Sequence, residues 1–539
     1  MHCSICVRAT MLYIKGKTFT SPAHQLFDDT RSGIRKLYSC LISIIMSSAS
    51  GKGHVVEFYY DISCPFAYIA STKIEALAQR TNANIIYRPV LLGAIYRATK
   101  APQGAAGSAS DVFNPTKKGI TSRAFQRTLK RHGVPYKEPP RHPQKTTAPL
   151  RLLYYVRPGQ RPALTQSLFQ AYWVRGENVS DKAVLIDAVR RSGVSDSDRV
   201  IAAIEDGSFE GAQQRKELEV STDLAVQRGS PGVPGLWIPE EGWTDKSGQR
   251  KEGRLYWGQD RMHFVEAVLE GLNEGKSGGD IAKISKPLPS LLPRSTRGGI
   301  PAGTEVKLEF WYDFSSPWGF LGWTQLARLQ REFGKSLQIE MKPFLLGILF
   351  REIGAPNTPT SAISEQKRNY SNLDHGDWVR WWNAVNIQNG SPDKNIDFYW
   401  ADKFPIRTPT VLRAVLAEPK LVDVLYRACW ERNLDMSSDE VLQNVISKTG
   451  YDGSGVLSRA NSPEVKKDLR ARTLEAKEAG LCGVPSYRVF RRKAGSQDQW
   501  KQVGDMIWGQ DEVLVVEDLI AGSNGEEKAE VEAPAKSRL

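Results

Sequence analysis

Read as apolar and polar positions, the chain first becomes regular at Glu57-Phe-Tyr-Tyr-Asp-Ile-Ser-Cys-Pro-Phe66, an aromatic run broken by a polar pair and a proline. The pattern predicts a buried strand that begins near Val55 and turns into a helix, because proline suits the first helical turn, where its missing N–H is unpaired anyway. Ile69, Ile74, Leu77 and Ala78 then recur at helical spacing, and Ile85-Ile-Tyr87 with Val90-Leu-Leu92 predicts a second strand. From there to about residue 220 the periodicity is helical, clearest at Leu164 to Trp173, Ala183 to Val189 and Arg215 to Arg228. Strand character returns at Leu236-Trp-Ile238, after Gly232-Val-Pro-Gly235, and a polar turn leads to Arg254-Leu-Tyr-Trp-Gly-Gln-Asp-Arg261 and a last helix. Two strands across a polar turn predict an antiparallel hairpin, and the first two, joined by a helical crossover, a parallel pair.

The whole pattern then repeats. Glu309-Phe-Trp-Tyr-Asp-Phe-Ser-Ser-Pro-Trp318 follows about 250 residues later, a period too long for a solenoid and right for a domain. Leu91-Leu-Gly-Ala-Ile-Tyr-Arg97 returns as Leu345-Leu-Gly-Ile-Leu-Phe-Arg351, and Ala101-Pro-Gln103 as Ala355-Pro-Asn357. Leu168-Phe-Gln-Ala-Tyr-Trp173 is matched by Leu425-Tyr-Arg-Ala-Cys-Trp430, and the closing hairpin by Gly483-Val-Pro485, Tyr487-Arg-Val-Phe490 and Met506-Ile-Trp-Gly-Gln-Asp511. The predicted fold is α/β: two tandem thioredoxin-like domains at 53–275 and 304–522, each with a large helical insertion. Lys, Gly, Ser and Pro dominate residues 276–303, which read as the linker. Residues 523–539 lack apolar periodicity and read as a disordered tail. Residues 1–52 read as a flexible leader, either a targeting segment or the result of a start at Met46 instead of Met1. Cys3-Ser-Ile-Cys6 has redox spacing there, but no strand precedes it and no periodic helix follows.

Composition narrows the function. The chain has 539 residues, 40% of them hydrophobic, and 14 Trp, as expected of folded domains, and no apolar run is long enough to span a bilayer. Its net charge of +13 comes from Lys and Arg dispersed among acids, which suits anionic small molecules better than nucleic acid. Six Cys in such a length make no disulfide framework and point to a reducing compartment. The seven His show no metal-ligand spacing, so no metal is implied.

The candidate chemistry lies at the corner. Cys64 and Ser316 each stand before a helix-opening proline and are predicted N-caps, where free N–H groups and the helix dipole favour a thiolate. Cys64 is therefore expected to be acidic and nucleophilic, and Ser316 able only to donate a hydrogen bond. Ala67 and Gly319 stand where a Cys-x-x-Cys motif would need its second thiol, which excludes dithiol exchange within one motif. Trp257 and Trp508 read as core aromatics, Cys429 as packing like Tyr172, and Cys482 as lying near the second site.

With the Val-Pro pairs before a strand, both copies resemble the kappa-class glutathione transferases and the related 2-hydroxychromene-2-carboxylate isomerases, in the DsbA-like branch of the thioredoxin family. The resemblance implies a cis-proline at Pro234 and Pro485, and glutathione as co-substrate. It gives Ser316, and Cys64 in its stead, the place of the serine that bonds the glutathione sulfur. Val233 and Val484 would pair their backbone with its cysteinyl part. Gly258-Gln259-Asp260 and Gly509-Gln510-Asp511 would hold the γ-glutamyl end. Asn357, with Gln103 as a departure in the first copy, and Lys118 and Lys367 would complete the sites. The implied activity is a glutathione transferase acting on electrophiles or peroxides, with monothiol disulfide reduction at Cys64. Its rivals are a glutathione-dependent isomerase of aromatic degradation and a non-catalytic binding module. The resemblance also suggests a pseudo-dimer within the chain, or a homodimer. No nucleic-acid or membrane partner is expected. The ending Ser537-Arg538-Leu539 resembles a peroxisomal signal read by an import receptor, with mitochondria or cytosol as alternatives.

Overall fold

The strand expected near Val55 is β1 (Val55–Tyr60). It runs into α1 (Pro65–Ser71) and α2 (Ile74–Thr81), then β2 (Asn84–Pro89), α3 (Leu92–Ala98) and α4 (Pro115–Arg131). The insertion continues through α5 (Thr147–Tyr155), α6 (Arg161–Trp173), α7 (Lys182–Ser192), α8 (Ser197–Asp206) and α9 (Ala212–Gln227). β3 (Gly235–Thr244), β4 (Arg250–Trp257) and α10 (Met262–Asn273) close the first half. This computed structural model describes residues 53–103, 110–245 and 247–524; the readings on the leader, its Cys pair and the tail lie outside the described residues.

The second half repeats the order. It comprises β5 (Thr304–Tyr312), α11 (Pro317–Phe333), β6 (Leu337–Pro343), α12 (Leu346–Glu352) and α13 (Glu365–Gln388). Its insertion adds α14 (Pro409–Ala417), α15 (Val422–Trp430), α16 (Asp439–Ser447), α17 (Gly453–Ala460) and α18 (Pro463–Glu478). β7 (Ser486–Lys493), β8 (Lys501–Trp508) and α19 (Val513–Ile520) complete it. Each half has one mixed sheet, ordered β2-β1-β3-β4 and β6-β5-β7-β8, with a parallel first pair and an antiparallel hairpin. This is the thioredoxin-like arrangement with a helical insertion. Both halves lie in one compact unit beginning at His54.

Strand β2 stops short of the expected Val90–Leu92, because the carboxylate of Asp61 accepts from the backbone N–H of Leu92 at 2.8 Å and starts α3 there. Asp313 does the same for Leu346 at 2.9 Å. The insertion is fixed to the corner by tryptophan. Trp173 Nε1 donates to the carbonyl of Ile62 at 2.9 Å, and Trp430 Nε1 to that of Phe314 at 2.8 Å.

Helices α4 and α13 went unlisted among the clear periodic segments, since α4 buries only Ile120 and Leu129 and is otherwise polar. Their polar faces meet the opposite half. The joint between the halves packs along α13: Ile281, Ile284 and Leu288 are buried. The Gln388 amide donates to the carbonyls of Ile284 and Lys286, both at 3.2 Å, and accepts from Leu288 N–H at 2.9 Å.

Candidate functional site

Each site is assembled from three short segments brought to one end of a sheet. The strand-end carboxylate sets the corner: Asp61 accepts from Ser63 N–H at 3.0 Å, and Asp313 from Ser315 N–H at 2.9 Å and Thr408 Oγ1 at 2.7 Å. Burial pushes both carboxyls up, against the pull of these hydrogen bonds. Beyond the corner, Cys64 and Ser316 are the N-cap residues of α1 and α11. The second segment is the Val-Pro loop, cis at Val233–Pro234 and at Val484–Pro485. The third is the turn before the last helix. Gly258 N–H donates to the Pro234 carbonyl and Gly509 N–H to that of Pro485, both at 3.0 Å, so loop and turn are tied in both halves. Gly258 and Gly509 have φ of 117° and 109°, and a Cβ at either would lie 2.4 Å from the carboxylate of Asp260 or Asp511. Only glycine suits that turn.

Cys64 and Ser316 differ in more than one atom. Ser316 Oγ accepts from Gly319 N–H at 3.1 Å, capping its helix and leaving its proton to donate. Cys64 makes no cap; its Sγ donates to the Val233 carbonyl at 3.2 Å. Its expected acidity is overturned. Burial pushes the thiol from 9.0 up to about 12, and nearby Asp61 adds to this, outweighing the N–H groups of Ala67 and Phe66. Cys482 is likewise pushed up by burial to about 12.

The lysine reading changes by one residue. The Asn114 side chain accepts from Lys117 N–H, and Ser364 from Lys367 N–H, so the caps put α4 and α13 in register and make Lys117 the counterpart of Lys367. Lys118 instead faces solvent beside Asp111 at 3.4 Å. Both counterparts cross to the other half. Lys117 lies over Trp508 at 5.4 Å and near Cys482, while Lys367 lies over Trp257 at 5.4 Å. Burial pushes both ammonium groups down, Lys367 to about 8, with Lys117 contributing to that shift. Trp257 and Trp508 are half-buried, each under a lysine of the other half, and are not enclosed as core residues.

The Gly-Gln-Asp turns are joined by a residue that the sequence reading did not single out. Arg261 binds Asp374 with both carboxylate oxygens, at 2.7 and 2.9 Å, and also reaches Asp260 at 2.5 Å and Asp511 at 3.2 Å. Its long-range partners hid it; its signal was the Arg-for-Glu512 difference after otherwise identical Gly-Gln-Asp turns. Gln259 and Gln510 turn inward. Gln259 Oε1 accepts from Lys73 at 2.5 Å, and Gln510 Oε1 faces Trp382 Nε1 at 3.4 Å. Gln103 is buried and Asn357 exposed, so the paired loop positions differ in setting. Among the described residues no group of three or more His, Cys, Asp or Glu is disposed to hold a metal ion.

The second-half site thus holds a hydroxyl on a helix N-terminus, the Val484–Pro485 loop and the Asp511 carboxylate, with Lys117 of the first half lying over Trp508 beside it. Such a set suits an extended ligand bearing both carboxylates and an ammonium. Gly322, on the second turn of α11, lets that helix lie on the cis-proline: a Cβ there would be 2.8 Å from the Pro485 ring and 2.6 Å from Tyr487 Oη. Gly322→Ala should overpack this contact, cost about 1–3 kcal/mol and lower the urea midpoint of the full chain. An unchanged midpoint would mean that the helix has room to move.

These features define a class. The model of the DSBA-like thioredoxin domain matches residues 55–270 and again 307–521, and the chain belongs to that family, in two tandem copies. Among characterised relatives, it is 23% identical over 221 residues to the 2-hydroxychromene-2-carboxylate isomerase of Sphingobium xenophagum, covering 40% of this chain and 97% of the isomerase. It is 20% identical over 224 residues to glutathione S-transferase kappa 1 of Caenorhabditis elegans, covering 40% of this chain and 90% of the transferase. A solved structure of 2-hydroxychromene-2-carboxylate isomerase, 20% identical, covers 41% of this chain and 97% of its own, with a TM-score of 0.33. These relatives are enzymes of the glutathione transferase and isomerase kind.

Proposed function

We propose that the chain is a glutathione-dependent enzyme whose working site is in the second half. The observation that carries this reading is the grouping of Ser316 Oγ, capped to Gly319 N–H, with the Val484–Pro485 loop and the Asp511 turn tied to it. Asp511 would accept from the γ-glutamyl ammonium, the Val484 backbone would pair with the cysteinyl part, and Lys117 would face a carboxylate. The Ser316 hydroxyl, already accepting from the helix, donates to the sulfur and favours its thiolate; the thiol proton goes to solvent. Attack on an electrophilic carbon then forms the carbon–sulfur bond and expels the leaving group.

The raised Cys64 thiol weighs against monothiol reduction in the first half and for a binding or supporting role there. A second reading, cis/trans isomerisation by reversible addition of the thiolate, is favoured by the isomerase among the relatives. The two differ in whether sulfur remains on the product, which product analysis separates.

Titration calorimetry of glutathione into the full chain tests the site. Asp511→Ala removes a charge-assisted acceptor and should weaken binding about ten- to a hundredfold. Ser316→Ala should leave affinity within about threefold while lowering conjugation of an aryl chloride about a hundredfold. An unchanged dissociation constant for folded Asp511→Ala would reject the assignment.

A further inference from the structure

The contacts between the halves obey an approximate two-fold relation. Lys117 over Trp508 and Lys367 over Trp257 are the same contact made in both directions, between positions equivalent in the two copies. Under that relation Arg127 corresponds to Asp377, Asp505 to Arg254, and Glu512 to Arg261. At every one of these positions the charge is reversed. On one side Arg127 pairs with Glu512 at 3.5 Å and reaches Asp505 at 4.0 Å, with Arg123 near Asp505 at 3.6 Å and Arg131 on Asp518 at 3.0 Å. On the other side the helix is the acidic partner: Asp377 pairs with Arg254 at 2.5 Å and Asp374 with Arg261 at 2.7 Å. The latter two pairs are buried, with side-chain exposures of 6–10%.

We infer that this face is coded for unlike halves: the partner it fits is the other half, and two copies of one half cannot pair through it. A pair of first halves in the same geometry would set Arg127 against Arg254 and Arg261. A pair of second halves would set Asp377 against Asp505 and Glu512. Both bring like charges together, and the repulsive element is as much a part of specificity as the attractive one. Each face therefore rejects its own copy on two helices at once.

The test uses the full chain with a protease site at the exposed Gly298-Gly299, cut after folding. Isotope-labelled and unlabelled cut protein are mixed in mild urea until first and second halves have scrambled, then returned to buffer and weighed by native mass spectrometry. Unlike pairs should exceed like pairs by about a hundredfold, since like-charge juxtaposition costs several factors of ten. Like pairs in statistical proportion would overturn the inference. The variant R254D/D377R provides the second measurement. In the unlike pair it leaves Arg127 facing Asp505 and exchanges the two charges of the Arg254–Asp377 contact. Each half, however, becomes matched to itself at this position. Like pairs should therefore rise by about tenfold or more relative to unlike pairs in the cut variant. If discrimination is unchanged in this variant, charge is not what sorts the halves.

Discussion

Iodoacetamide at neutral pH should label Cys64 about a thousandfold more slowly than an unstructured thiol. The reacting species is the thiolate, and moving the pKa from 9.0 to about 12 removes roughly three factors of ten from its population. Access is also restricted, since the residue is 6% exposed and its Sγ is bonded to the Val233 carbonyl. The rate should climb about tenfold per pH unit through pH 9 and beyond, with no plateau below about 12. The sign for stability follows from the same shift. The unfolded thiol ionises first, so the contribution of Cys64 is fully present below pH 9 and is lost as the pH rises toward about 12. Mass spectrometry of timed reactions, with a urea-unfolded control, measures this. Labelling at the free-thiol rate would reinstate Cys64 as a nucleophile.

Asp377→Ala should destabilise the full chain by about 3–5 kcal/mol, because it leaves the Arg254 guanidinium buried without its acceptor. Arg254 lies over Trp243 and Tyr256, so it cannot swing to water without giving up that packing. Added salt should recover little of the loss, since a buried pair is poorly screened. Asp423→Ala, which breaks the more exposed pair with Arg427, is the control and should cost less than about 1 kcal/mol. Urea midpoints for the two variants make the comparison. Equal midpoints would mean that water reaches the Arg254 site.

Features of the chain that depend on neighbours in sequence were legible. The strand, corner and proline around Cys64 and Ser316, the Val-Pro pairs and the Gly-Gln-Asp turns are each local, and their repetition in the same order defined the fold. What escaped depends on distance or on a single residue of register. Lys117 and Lys118 are adjacent, and only the Asn114 cap decides which is equivalent to Lys367. Arg261 meets Asp374 across more than one hundred residues, which no periodicity reports. The acidity of Cys64 was misread because helix position can be inferred from a proline, whereas desolvation depends on what the rest of the chain puts over the thiol. Strand β2 was drawn too long because Val90, Leu91 and Leu92 are apolar, and only the tertiary bond from Asp61 ends it.

The joint between the halves also decides how they can move. A hinge needs a few residues whose contacts are given up cheaply. Here the joint keeps Ile281, Ile284 and Leu288 covered and is stitched to the Gln388 amide by three hydrogen bonds. Swinging one half away would strip those side chains and part the ion pairs on both helices together. Clamshell opening at this joint would therefore cost far more than a hinge does.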